Sequence, residues 1–128
     1  MYSYNSYHKV ILIVIVILWA IFNFTQRSDD GLYFGNGQIK RNGTSTNSMN
    51  EGLWVWYYEN GEVFLRGNFH KGERYGEWKR FDQQGNLVAI STYQNNMLNG
   101  TYTEYGAFGD IIEQHIYKND SLIETVKL

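Results

Sequence analysis

The sequence predicts an all-β protein: a single-layer, meandering antiparallel sheet of stacked β-hairpin repeats, preceded by one transmembrane α-helix. Three observations point to it. The first is a 24-residue period. Gly52, Gly76 and Gly100 are 24 apart, and so are Trp54, Trp78 and Tyr102; Tyr57, Phe81 and Tyr105; and Gly61, Gly85 and Gly109. Val63, Leu87 and Ile111, then Phe69, Tyr93 and Tyr117, then Gly72, Asn96 and Asp120 keep the same register without an insertion. A fixed period of this length is the mark of a repeat architecture. The second observation is composition: no proline, 13 glycines and an aromatic fraction of 17%. Turns must then be built by Gly and Asn, the residues that tolerate positive φ. The third is the uninterrupted apolar run from Val10 to Phe22.

In chain order, residues 1–9 form an N-terminal tail. The apolar run, extended to residues 10–26, approaches the roughly 17–20 residues that cross a bilayer. No small-x-small cleavage site follows it, so it is expected to stay as an uncleaved signal anchor. A short cytoplasmic tail would then place the repeats on the extracytoplasmic side, the periplasm in a bacterium. Positive charge is nearly balanced across the run, with Lys9 before it and Arg27 after.

Residues 27–51 are expected to be a linker and a degenerate leading repeat. Tyr33, Gly37 and Ile39 fall one period before Tyr57, Gly61 and Val63, but Asp30 stands in the tryptophan column. Asn42 to Ser48 is polar and turn-rich and is expected to be a loop. Residues 52–120 hold three hairpin repeats. In the middle one, Glu77 to Phe81 and Asn86 to Tyr93 are the strands, Asp82 to Gly85 the turn, and Gln94 to Asn99 the link to the next unit. The first unit repeats this with Trp54 to Tyr58 and Val63 to Phe69, the third with Thr101 to Tyr105 and Asp110 to Tyr117. Residues 121–128 supply a closing strand, for a sheet of about seven strands. A lone hairpin is marginal in water, so the units must support each other.

Strand alternation puts Trp54 and Tyr57 on opposite faces, and places Val63, Leu65 and Phe69 together against Phe64, Arg66 and Asn68. Both faces thus carry apolar groups, and a single layer cannot cover both. Contiguous exposed apolar surface marks a binding site, and the residues that would form it are Trp54, Trp56, Tyr58, Trp78 and Tyr102. The competing expectation is that the stems of Arg66, Lys79 and Arg80 lie over the rings. The Gly and aromatic columns (Gly52, Gly61, Gly76, Gly85, Gly100, Gly109, Tyr57, Phe81 and Tyr105) read as structural.

The pattern Gly52-x-Trp54-x-x-Tyr57, Asn60-Gly61 and Lys71-Gly72, repeated as Gly76-x-Trp78-x-x-Phe81 and Gly85, resembles the MORN repeat variant of bacterial YwqK-family antitoxins. The resemblance runs from Gly52 to Asp120; Tyr102 and Asn119-Asp120 depart from it. It implies a single-layer antiparallel array that mediates protein contacts. A second likeness, Trp56-Tyr57-Tyr58 with Asn60-Gly61, is to the aromatic repeats of choline- and glucan-binding cell-wall proteins, which cage ammonium groups or stack sugars.

Chemistry is sparse. With no cysteine there is no thiolate ligand or nucleophile. His8, His70 and His115 occupy unrelated columns, and there is no phosphate loop, Gly-x-Ser-x-Gly or His-x-x-x-His. A net charge of −2 gives no nucleic-acid footprint. The expected protein is a non-catalytic accessory or scaffold subunit of a membrane protein complex. It needs no cofactor or metal, and it contacts the membrane through residues 10–26 and another protein through its repeats. An antitoxin or immunity-type binder of an effector, and an envelope glycan or lipid-headgroup binder, are the alternatives.

Overall fold

The computed structural model describes residues 13–21 and 31–128. The repeat region is one eight-stranded antiparallel sheet in sequence order. The strands are β1 (Arg41–Thr46), β2 (Met49–Tyr57), β3 (Val63–His70) and β4 (Glu73–Phe81). They continue with β5 (Leu87–Gln94), β6 (Met97–Tyr105), β7 (Ile111–Lys118) and β8 (Ser121–Val126). β2, β4 and β6 are nine residues each and start one period apart; β3, β5 and β7 are eight each with the same spacing.

Two kinds of turn alternate along the two rims. On one rim both central residues have positive φ: Asn47 and Ser48, Lys71 and Gly72, Asn95 and Asn96, Asn119 and Asp120. These are the two-residue hairpin turns whose twist matches that of the strands, and Asn and Asp tolerate them best among residues with a side chain. In the last three of these turns the second residue donates its N–H to the preceding unit: Gly72 to Asn50 O at 2.9 Å, Asn96 to Arg74 O at 3.0 Å, Asp120 to Leu98 O at 2.9 Å. On the other rim, longer loops close with paired bonds. Tyr58 N meets Glu62 O at 2.8 Å and Gly61 N meets Tyr58 O at 3.0 Å; Asp82, Asn86 and Gly85 repeat this one unit later. Phe34, Gln38 and Gly37 do the same one unit earlier, beside the bridge between Tyr33 and Ile39, so the degenerate leading unit keeps its turn.

Three expectations change. Arg41 to Thr46 is a strand and not a loop, which brings the sheet to eight. It pairs with β2 from Arg41↔Trp56 to Thr46↔Met49. Its six residues are all exposed, so no apolar alternation announces it; Thr44 and Thr46 are β-formers, and the Asn47-Ser48 turn folds it back. The links at Gln94 to Asn99 are tighter than the composition suggests. Only Asn95-Asn96 turn, and Met97 already begins β6.

The third change concerns the membrane-spanning helix expected over residues 10–26. The described helix covers 13–21, nine residues, or about 14 Å at 1.5 Å per residue against a hydrocarbon layer of about 30 Å. Among the described residues no helix is long and apolar enough to cross a membrane. The uninterrupted apolar run is itself only thirteen residues, with Asn23 following it. The tail over 1–9, residues 10–12 and 22–26 of the expected span, and the linker up to Asp30 lie outside the described residues.

No second layer covers the sheet among the described residues. The buried hydrophobic side chains there are Trp78 (5% exposed) and Ala89 (2%), with Thr103 the buried polar one. Cohesion therefore comes from backbone ladders and from side chains that shield one another across neighbouring strands.

Candidate functional site

One face of the sheet gathers the large rings. Alternation in β2 sends Trp54 and Trp56 to this face, and their cross-strand partners are Gly67 and Leu65. β4 adds Trp78 and Arg80, opposite Ser91 and Ala89 of β5. β6 continues the row with Tyr102, opposite Ser91 on one side and His115 on the other. Phe69 and Tyr93 fill the gaps between the tryptophans.

The rings form a chain. Centroids lie 6.1 Å apart for Trp54 and Phe69, 5.0 Å for Phe69 and Trp78, and 6.0 Å for Trp78 and Tyr93, all edge to face. Trp56 joins it at 5.8 Å from Trp54 and 5.6 Å from Trp78. Edge-to-face pairs each add about 0.5–1.5 kcal/mol beyond area burial, which suits a sheet without a second layer. The row resumes with Tyr102 stacked on His115 at 6.2 Å and His115 against Tyr117 at 6.3 Å.

Two guanidinium groups stand among these rings. Arg74 lies 4.1 Å from the Tyr93 centroid and 5.9 Å from that of Trp78. Asn96 orients it, accepting Arg74 Nε at 2.7 Å on its side chain and Nη2 at 3.1 Å on its carbonyl. The Tyr102 hydroxyl donates to Glu104 Oε2 at 3.3 Å, with the Arg80 guanidinium nearby. Burial, and next the nearby Glu104 carboxylate, push the Tyr102 phenol up. The ion pairs among the described residues are His70–Glu51, Lys79–Glu77 and His115–Glu113, so neither Arg74 nor Arg80 faces a carboxylate at ion-pair distance.

The opposite face is polar and more open. Leu53, Arg66, Asn68, Glu77 and Lys79 line a shallow depression there, and Arg66 rests 5.2 Å from the Phe81 centroid. Of Arg66, Lys79 and Arg80, expected to lie over rings, Arg66 sets its guanidinium over one on this face; Arg74, which was not among them, does so on the other.

Of the five residues expected to bind a partner, Trp54, Trp56, Trp78 and Tyr102 share the ring face. Tyr58 does not. It sits in the β2–β3 loop, donates to Phe81 O at 2.9 Å and packs 5.1 Å from Phe64. Trp78 is nearly fully covered, which makes it the keystone of the face rather than its accessible part. Trp54, Trp56, Phe69 and Tyr93 are half-buried.

The structural columns have distinct jobs. Gly61, Gly85 and Gly109 take φ of +89°, +85° and +80° in the long loops. Gly52, Gly76 and Gly100 lie inside strands, at φ of +67°, +68° and +124°, where the ladder bulges. Tyr57, Phe81 and Tyr105 close the ends of β2, β4 and β6 opposite Val63, Leu87 and Ile111.

The column that sequence reasoning passed over is Gly43, Gly67, Ser91 and His115, each eleven positions before Trp54, Trp78, Tyr102 and Val126. A Cβ on Gly43 or Gly67 would run into the indole of Trp54 or Trp78. The regular spacing of this column was the available signal; its glycines look like ordinary turn formers because Asn42-Gly43 reads as a turn pair. Arg74 was also missed, since a single arginine beside a turn carries no pattern.

Among the described residues no group of three or more His, Asp or Glu side chains is placed to hold a metal ion. Every buried side-chain nitrogen and oxygen among them has a hydrogen-bond partner. No curated protein matches the chain. Residues 50–71 and 74–95, two adjacent repeats spanning β2 to β5 and their turns, match the MORN repeat variant family.

Proposed function

We propose that this chain is a non-catalytic binding repeat, an accessory or scaffold protein that holds another protein against the ring face of β2–β6. The observation that carries this reading is the ring chain Trp54–Phe69–Trp78–Tyr93, half-buried except for the covered Trp78, with Trp56 beside it, on a sheet without a second layer among the described residues. Burying such rings is the main source of affinity at protein interfaces, where Trp, Tyr and Arg dominate. The match of two repeats to the MORN repeat variant supports a repeat module in place of an enzyme. The rings interlock edge to face, at interplanar angles of 80°, 88° and 72°. They therefore offer few free flat faces of the kind a sugar stacks on, which favours a protein over a glycan.

The test places a photo-crosslinking residue at Trp56 on the ring face and, separately, at Leu53 on the polar face, in the full chain expressed in its own cell. A single protein captured at 56 and not at 53 supports the reading. Equal capture at both positions, or none at either, overturns it.

A further inference from the structure

The ring face is electrically uneven. On β2 to β5 its outward side chains are Trp54, Trp56, Leu65, Phe69, Arg74, Trp78, Arg80, Ala89, Ser91 and Tyr93. No carboxylate is among them; Glu51, Glu73 and Glu77 of the same strands alternate to the other face. On these strands its charges are two guanidiniums, Arg74, which Asn96 orients, and Arg80, opposite Leu65 and Ala89; Arg41 of β1, opposite Trp56, and Glu104 of β6, opposite Ala89, flank them. Among the described residues neither Arg74 nor Arg80 has an ion-pair partner. A guanidinium laid on rings and held by hydrogen bonds loses little freedom when it accepts a carboxylate, and it can do so through two parallel bonds.

The spacing of the two groups narrows the ligand. They stand six positions apart on β4, but the bulge shortens this: their partners Phe69 and Leu65 are four positions apart on β3, roughly 13 Å at about 3.3 Å per residue, with the Trp78, Phe69, Tyr93 and Trp56 rings between them. A compact polyphosphate or lipid headgroup bridging them would place charge over apolar surface. A polypeptide segment can do what a headgroup cannot. Resting on that reading of the face, we infer that the partner docks through a segment lying along β4 with an acidic side chain at each end, about four positions apart if extended, and an apolar stretch between. Arg74 and Arg80 take the two carboxylates and the rings take the stretch. Beyond β5 the sign reverses: Glu104 and Glu113 face each other across β6 and β7. An acidic end is repelled there, which confines the segment to β2–β5.

The experiment uses the full chain and three fluorescein-labelled peptides: Glu at both ends of a three-residue Leu/Phe/Tyr stretch, Lys at both ends of the same stretch, and Glu at both ends of a Ser/Gly stretch. Anisotropy titration is expected to give affinity for the first at least about tenfold above either of the others, weakening as salt is raised. Arg80→Glu should invert the Glu/Lys preference and Arg80→Gln should abolish it, each with an unchanged circular dichroism spectrum. Equal binding of the Glu- and Lys-ended peptides overturns the inference. So does Arg80-dependent binding to vesicles containing a phosphoinositide with none to the peptides, or self-association of the chain that Glu113→Lys removes. If the cellular partner is still captured from position 56 when Arg74 and Arg80 are both reversed, the acidic segment is refuted while the ring face stands as the docking surface.

Discussion

The indole of Trp78 lies flat against the backbone of Gly67, where any Cβ would collide with it, and its Nε1 donates to Asn68 O at 3.3 Å. The same relationship joins Trp54 to Gly43, with Nε1 on Thr44 O at 3.0 Å. Both contacts sit where the ladder loses step. From Arg66↔Lys79 to Asn68↔Tyr75, two steps along β3 face four along β4, and from Asn42↔Val55 to Thr44↔Glu51 the count is the same. The bulge frees a carbonyl, the indole N–H takes it, and the missing side chain makes room for the ring. Three local choices, a glycine under the ring, a tryptophan above it and a glycine two positions before that tryptophan, thus form one device used in successive repeats.

Gly67→Ala is expected to be the most damaging single methyl in the protein. Trp78 cannot swing aside, since Phe69, Trp56 and Tyr93 surround it at 5.0, 5.6 and 6.0 Å. Overpacking of this kind costs about 1–3 kcal/mol, or a fall of roughly 4–8 °C in Tm per kcal/mol for a domain of this size. Gly43→Ala should cost clearly less, because β1 is an exposed edge and Trp54 can tilt outward. Thermal denaturation followed by tryptophan fluorescence checks the ranking.

A different glycine fails for a different reason. Nothing lies within 4 Å of a Cβ at Gly76, but its φ is +68°, so an alanine there meets open space and a strained backbone. About 1 kcal/mol is expected for Gly76→Ala, and less for Gly76→Asn, which visits this region more readily. Gly100 combines both penalties, with φ at +124° and a Cβ 3.1 Å from that of Thr92. Gly100→Ala should therefore exceed Gly76→Ala, and Gly100→Asn should give no relief. Urea midpoints of these variants, compared at constant m, decide this.

The period, the hairpins and the shared face of Trp54, Trp56, Trp78 and Tyr102 were legible in the sequence, because a repeat prints its columns and alternation assigns the faces. The bulges were not. Gly52, Gly76 and Gly100 look like strand breakers, so strands read from the sequence begin at Trp54, Glu77 and Thr101, whereas β2, β4 and β6 run from Met49, Glu73 and Met97 straight through them. β1 escaped notice because an edge strand exposed on both sides needs no apolar pattern. Of the site, the tryptophans were visible as a column. The arginines were not, since Arg74 acquires meaning only when a turn brings Asn96 to it and a ladder brings Tyr93 under it.

Acid should loosen the β4–β5 loop. Asp82 accepts three hydrogen bonds, from Gln84 N at 2.9 Å and Asn86 N at 2.8 Å on Oδ1, and from Asn86 Nδ2 at 2.9 Å on Oδ2. The Asn86 side chain and backbone, with Gln84, hold its carboxyl below the ordinary 3.8. A depressed value means the carboxylate stabilises the loop fully above the ordinary range, and that contribution disappears as pH falls through the lowered folded value. The amide signals of Gln84 and Asn86 should therefore titrate together below pH 3.8 in the wild type. Asp82→Asn should abolish that titration; persistence of the shift in this variant would place its source elsewhere.

The last strand tests whether the ring-on-glycine device sets the register. Inner pairs follow one rule: Asn42↔Val55, Arg66↔Lys79 and Ile90↔Thr103. Stepping on by one more period would pair Gln114 with Lys127, yet Gln114 faces Val126, and the bulge shrinks to one extra position between Ile116↔Glu124 and Tyr117↔Leu122. All three parts of the device are missing here. His115 occupies the glycine position, Val126 the tryptophan position, and Glu124 the position that needs positive φ. A one-residue slip turns every later side chain of a strand to the other face. The triple change His115→Gly, Glu124→Gly and Val126→Trp should thus draw β8 into the inner register, giving cross-strand amide contacts between Gln114 and Lys127 in place of Gln114 and Val126. Glu124→Gly alone should leave the slip in place, because the backbone would then be free to bulge but no ring would hold it there. If the triple variant keeps Gln114 against Val126, the rings are passengers of the bulge rather than its cause.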